Sequence, residues 1–140
     1  MFKYFEWKYP EKVAARIYYN DKESHDIYAG CDFYLMPSVS EPCGISQLIA
    51  MRYGTLPIVR EAGGLKDTVI PYNEYTGEGT GYSFENINAH ELLFAIKNAV
   101  NVYNTNEQAH RKLITNAMSQ NNDWEMSSEK YLKLYEEIKA

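Results

Sequence analysis

Short apolar runs separated by helical patterns recur along this chain of 140 residues, and that alternation leaves few architectures open. Phe33-Tyr34-Leu35-Met36, Leu56-Pro57-Ile58-Val59-Arg60 and Tyr82-Ser83-Phe84 have the length and continuity of strands buried on both faces. Val13 to Tyr19 has strand composition as well. Residues 2–9 read as the tail of a helix stopped before Pro10. Asn20 to His25 gives a turn and an N-cap signal for a short helix that closes at Gly30. Gly44 to Tyr53 carries an apolar stripe of Ile45, Leu48, Ile49 and Met51, with Gly54 at the C-cap position. Gly63-Gly64 marks a tight turn, and residues 71–81 form a glycine-rich irregular loop. Asn88 opens a helix with Leu92, Leu93, Ile96, Ala99 and Val100 on one side, followed by helical patterns over Glu107 to Met118 and Glu125 to Ile138. Strand and helix in alternation predict an α/β fold built on an open parallel sheet.

Charge and composition close off several functions. The net charge is −5, and no basic stripe stands out, so no nucleic-acid partner is expected. No apolar run approaches the roughly 20 residues that cross a bilayer, so no membrane partner is expected either. Acid and base stand among the first six residues, too early for a secretory signal, and a cytoplasmic location is expected. Cys31 and Cys43 are too few for a disulfide scaffold. His25, His90 and His110 are too scattered for a metal site, and neither metal nor other cofactor is expected. Cys31 reads as a small buried residue, His90 and His110 as surface positions on helices, and His25 as the maker of a local hydrogen bond. Trp124, Tyr131 and Tyr135 read by default as an aromatic set packed on the domain, with exposure of part of the stripe as the alternative. Glu61 and Asp67 flank the Gly63-Gly64 turn and read as groups that cap and solvate it.

Ligands of open parallel sheets sit at the carboxyl ends of strands, which directs attention to the loop after Tyr19 and to the loop from Met36 to Gly44. In Glu41-Pro42-Cys43-Gly44-Ile45-Ser46-Gln47, Pro42 restrains Glu41 towards extended geometry and Gly44 permits close approach of backbone to ligand. The N–H groups around Cys43, Gly44, Ile45 and Ser46 would face outwards at a helix N-terminus, where a diphosphate can bind. Glu41, just before them, could accept hydrogen bonds from sugar hydroxyls. The plainer reading also stands: every loop-to-helix junction exposes N–H groups, a lone loop Glu is commonly idle, and Cys43 could be either a reactive thiol or a small residue chosen for fit.

The stretch Tyr28-Ala29-Gly30-Cys31-Asp32-Phe33-Tyr34-Leu35-Met36-Pro37-Ser38, followed by Glu41-Pro42-Cys43-Gly44-Ile45-Ser46-Gln47, resembles bacterial glycogen synthase and plant starch synthase. Ala50 to Arg60, Gly63-Gly64-Leu65-Lys66-Asp67-Thr68-Val69, Gly79 to Phe84 and Trp124 continue the resemblance over nearly the whole chain. It implies a retaining glucosyltransferase of the GT-B type, with two Rossmann-like domains facing a cleft. Glucose would pass from ADP-glucose to the non-reducing end of an α-1,4-glucan. The resemblance makes Glu41 the catalytic donor-site acid. It makes Cys43, Gly44, Ile45 and Ser46 the segment holding sugar and phosphates, and Tyr19 the aromatic that stacks on adenine. Many related retaining transferases carry a second Glu eight residues after the first. Ile49 stands there in this chain, as the glycogen and starch synthase subgroup leads one to expect.

The resemblance further implies that residues 1–140 are a truncated C-terminal nucleotide-sugar-binding domain, a partial Rossmann-like sheet with its early strands missing. The family's Arg and Lys that clamp the diphosphate sit by a Lys-Gly motif that has no counterpart here. The half that binds most of the glucan is absent too, so the chain alone is expected to be inactive; with the sheet neighbours of residues 13–19 and of Phe33 to Met36 lost, it is expected to aggregate, to swap strands or to expose apolar edges. Two rival readings remain: a non-catalytic module of the same ancestry that binds nucleotide or partner protein, and a GT-B transferase with another acceptor.

Overall fold

A computed structural model describes residues 1–139. Three strands form one parallel sheet in the order β1-β2-β3: β1 (Phe33–Met36), β2 (Leu56–Arg60) and β3 (Tyr82–Phe84). Phe33 stands opposite Leu56, and Ile58 opposite Tyr82. Among the described residues, seven helices complete the order. They are α1 (Phe2–Lys8), α2 (Asp21–Gly30), α3 (Ser46–Tyr53), α4 (Gly64–Thr68), α5 (Ala89–Thr105), α6 (Glu107–Met118) and α7 (Trp124–Lys139).

β2 is covered on both faces, which explains its unbroken apolar run. Alternation along the strand sends Leu56 and Ile58 to one side and Val59 to the other. The first side is the larger core, where Met51, Leu56, Ile58, Tyr82, Phe84, Ala99 and Leu113 are buried between the sheet and α3, α5 and α6. On the second side Val59 packs with Leu65, Val69 and Met36. Small Ala95, Ala99 and Ala117 let α5 and α6 come close to the sheet. Thr55 ties α2 to this framework, the one proton of its hydroxyl shared between the carbonyls of Tyr28 and Cys31.

Helix ends follow the local chemistry. Asn20 Oδ1 accepts from Glu23 N–H, and Asn88 Oδ1 accepts from the N–H groups of His90 and Glu91. Gly54 stops α3 with φ 86°, a left-handed cap that glycine adopts without strain.

Several sequence-based expectations need correction. Residues 13–19 form no strand. Strand composition alone cannot hold an extended segment without a ladder partner, and Ile17, Tyr18 and Tyr19 are exposed. α3 begins at Ser46, not Gly44, because Gly44 has φ 73° and cannot join a right-handed helix. The Gly63-Gly64 turn opens directly into the short helix α4. Cys31 is exposed, not buried. His110 is buried, since α6 turns it inward against Phe33 and Tyr103. α7 buries none of its residues, so Trp124, Tyr131 and Tyr135 stand exposed and do not pack on the domain. None of the described helices is long and apolar enough to cross a membrane.

Candidate functional site

β1 delivers its chain to the carboxyl edge of the sheet at Met36, and residues 37–45 travel from there to the start of α3. Three groups hold this loop from below. Arg60, last in β2, donates through Nη1 to Ser38 O at 3.2 Å and Val39 O at 2.8 Å. Gly64 N–H points at Glu41 O and Pro42 O at 3.3 and 3.1 Å. Gln47, fully buried, places Nε2 within reach of three acceptors, Cys43 O at 3.2 Å, Gly44 O at 3.0 Å and Thr68 Oγ1 at 3.1 Å, and its two N–H bonds are shared among them. The Gly63-Gly64 pair lies directly against the loop. A Cβ on Gly63 would strike the Glu41 carbonyl, and one on Gly64 would lie 2.6 Å from Cys43 Cα. Loop and turn therefore form one backbone-to-backbone contact that only glycine admits.

The upper side of the loop is open. Ile45 occupies the N-cap of α3 and has no side-chain oxygen to offer. Among the described residues, no group accepts a hydrogen bond from the amides of Cys43, Gly44, Ile45, Ser46 or Gln47. No acid stands in the first turn of α3, and Arg52 sits in its last, so nothing on the helix neutralises its positive end. Cys43 and Ile45 are exposed. The Ser46 hydroxyl is occupied from within, accepting from Tyr34 Oη at 3.0 Å and lying 3.4 Å from Met36 Sδ. Its amide is what remains for a ligand. Glu41 is half-buried, with one carboxylate oxygen 3.5 Å from the Ser38 hydroxyl. The arrangement can receive an anion on consecutive amides and polar hydroxyl groups on the adjoining carboxylate.

The structure brings Glu41, Cys43, Gly44, Ile45 and Ser46 together on this loop. Tyr19 stands apart, 92% exposed beside the Asn20 cap. It shares no hydrogen bond or ring contact with the loop among the described residues. His25 bonds across to α3, Nδ1 to Tyr53 Oη at 3.1 Å, and not within its own turn. Glu61 does more than solvate its turn: it accepts from Ser83 Oγ at 2.8 Å and pairs with Lys66 at 3.5 Å. Among the described residues no three His, Cys, Asp or Glu side chains gather where a metal ion could bind. A cleft of about 760 Å³ runs along α3 past Ile45, Leu48, Tyr53 and Met118, without Glu41 or Cys43 on its walls.

Sequence reasoning missed Arg60, Gln47 and the Gly64 contact. For Gln47 helical spacing gave no signal, because Gly44 stands outside the helix and the contact is made to backbone carbonyls of the loop. Arg60 and Gly64 are brought to the loop by sheet pairing, and nothing local marks them.

The family described as glycosyl transferases group 1 matches residues 8–136. The glycogen synthase of Finegoldia magna is 58% identical over 138 residues, which are 99% of this chain and 29% of that protein. The glycogen synthase of Lachnospira eligens is 52% identical over 138 residues, again 29% of its length. Among solved structures, the catalytic domain of starch synthase IV from Arabidopsis thaliana, bound to ADP and acarbose, superposes with a TM-score of 0.83 at 33% identity. That alignment covers 97% of this chain and 29% of the other. The chain thus spans under a third of the length of these relatives.

Proposed function

Since this chain belongs to the group 1 glycosyl transferases, we propose that it forms the nucleotide-sugar-binding part of a glycogen or starch synthase. The whole enzyme would transfer glucose from ADP-glucose to the non-reducing end of an α-1,4-glucan with retention, in the cytoplasm. One observation carries the reading: five consecutive amides, Cys43 to Gln47, lack internal acceptors at an uncapped helix start, immediately after Glu41. A likeness to a synthase bound to ADP and acarbose supports the choice of donor and acceptor class.

The roles follow from the chemistry. The pyrophosphate of the donor accepts from the amides of Cys43 to Ser46. As the bond from glucose to phosphate breaks, negative charge grows on the departing phosphate, and fixed N–H dipoles with the positive end of α3 behind them stabilise it. Glu41 accepts from the sugar hydroxyls and holds the anomeric carbon in place relative to that phosphate. Tyr19 stacks on the adenine. The cations that clamp the diphosphate in the family, and most of the glucan site, come from segments with no counterpart in these 140 residues, so the chain alone is expected to synthesise no glucan.

Titration of the 15N-labelled chain with millimolar ADP tests the cradle. Shifts concentrated at Cys43 to Gln47 are expected. Shifts elsewhere only, or none, would remove its support. Adding the rest of a related synthase as a separate polypeptide tests the reaction: restored glucan synthesis from ADP-glucose is expected, and ADP binding without synthesis would favour a non-catalytic module.

A further inference from the structure

Gln47 has no place in the roles above, yet it is the most completely enclosed polar side chain near the loop, with 0% exposure. Its orientation is fixed by chemistry. Two carbonyls, Cys43 O and Gly44 O, face one end of the side-chain amide, and only the NH2 group can meet them; the reversed amide would set three oxygens against one another. Thr68 Oγ1 completes the arrangement, accepting from Gln47 Nε2 at 3.1 Å while donating to Gly64 O at 2.6 Å. The space for the amide exists because Gly44 has no side chain: a Cβ there would lie 2.8 Å from Nε2.

The consequence lies on the other side of two peptide planes. The chain has no cis peptide among the described residues. In a trans peptide the C=O of one residue and the N–H of the next point in opposite directions. Pulling Cys43 O inward therefore turns Gly44 N–H outward, and pulling Gly44 O inward does the same to Ile45 N–H. One buried amide sets the direction of two adjacent donors.

We propose that Gln47 is the positioning residue of the donor cradle, its Nε2 holding the Cys43 and Gly44 carbonyls inward so that Gly44 and Ile45 N–H stand ready for a phosphate group. This rests on the reading of the loop as a nucleotide-sugar site. It separates the two faces of the loop: amides outside bind the anion, and Gln47, Thr68 and Gly64 beneath give those amides their aim.

The test uses the 15N-labelled 140-residue chain, Gln47→Met, which keeps length and removes the donor, and Leu113→Ala, which weakens the larger core but takes part in none of the loop's hydrogen bonds, as a control. Backbone order at Gly44 and Ile45 is read by relaxation and hydrogen exchange, and affinity by ADP titration. Gln47→Met is expected to loosen those two amides and to weaken ADP about tenfold, the scale of one lost hydrogen bond to a charged group. Leu113→Ala is expected to lower the melting temperature without either change. Wild-type order and affinity in Gln47→Met, or equal loosening in Leu113→Ala, would overturn the proposal. If Gln47→Met does not fold, Thr68→Val decides, since it removes one partner of Nε2: partial loosening at Gly44 supports the assignment and none overturns it. Absence of any ADP response in the wild-type chain would count against the nucleotide cradle, while the order comparison still decides whether Gln47 aims the two amides.

Discussion

At the scale of single residues, the candidate site divides into groups that face outwards and groups that hold them there. Glu41 belongs to the first kind, and the proposal gives it contact with the sugar and none with the nucleotide. Glu41→Ala should therefore leave the affinity for ADP within about twofold while weakening ADP-glucose by about tenfold, as expected for loss of a hydrogen bond to a charged acceptor. Parallel titrations with the two ligands check this, and equal weakening of both would place the carboxylate elsewhere. Gly64 belongs to the second kind. Its replacement by Ala would put a methyl group 2.6 Å from Cys43 Cα, an overpacking that costs about 1–3 kcal/mol unless the loop lifts away. Denaturant unfolding of Gly64→Ala should show that loss, together with displaced resonances at Glu41 to Gly44; a wild-type transition would mean the contact is soft. The outward groups were legible in sequence because they are contiguous and end at a helix start. Arg60, Gly64 and Thr68 were not, because each reaches the loop from about 20 residues away through the sheet and its turn.

Among the elements, those with their own punctuation could be read in advance. α5 announces itself through Asn88, whose side chain caps two amides, and α3 ends where Gly54 adopts a left-handed conformation. Residues 13–19 could not be read correctly, because a strand depends on a neighbour that composition does not reveal. The same blindness to tertiary context hid His110 on α6. Its ring lies 5.0 Å from Tyr103 and 5.7 Å from Phe33 between centroids, and its Nδ1 has no partner among the described residues. Burial lowers its pKa from 6.5; Asp32 nearby opposes that shift, and Arg111 adds to it. In the unfolded chain the imidazole gains its proton near 6.5, while in the folded chain it stays neutral to lower pH. This stabilisation is complete above pH 6.5 and is lost as pH falls through the depressed folded value. The melting temperature should therefore fall more between pH 7.5 and 5 in the wild type than in His110→Leu, by calorimetry in matched buffers. Parallel falls would assign the pH response to other groups.

For the molecule as a whole, two surfaces decide how this chain behaves in solution. Among the described residues both β1 and β3 pair with β2 on one side only, and the longer of these edges, Phe33 to Met36, offers unpaired backbone donors and acceptors. α7 adds a second surface, with Trp124 85% exposed, Ile138 74% and Tyr135 63%, and none of its residues buried. A free strand edge and an uncovered apolar face of an amphipathic helix each recruit a second copy when nothing else covers them, one by backbone pairing and the other by burial of apolar area. The two modes separate by mutation. Leu35 is 45% exposed on β1, and a lysine there would bring like charges together in any edge-to-edge pair. Light scattering behind size exclusion should give a mass above 16.2 kDa that rises with loading concentration. Leu35→Lys should bring it down if the edge dominates, whereas Trp124→Ser with Ile138→Ser should do so if α7 dominates. A 16.2 kDa species at every concentration would show that both surfaces are tolerated in water. Addition of the rest of a related synthase as a separate polypeptide should lower the mass of the self-associated species, because a partner that completes the sheet or covers α7 competes for the same surface that the copies use.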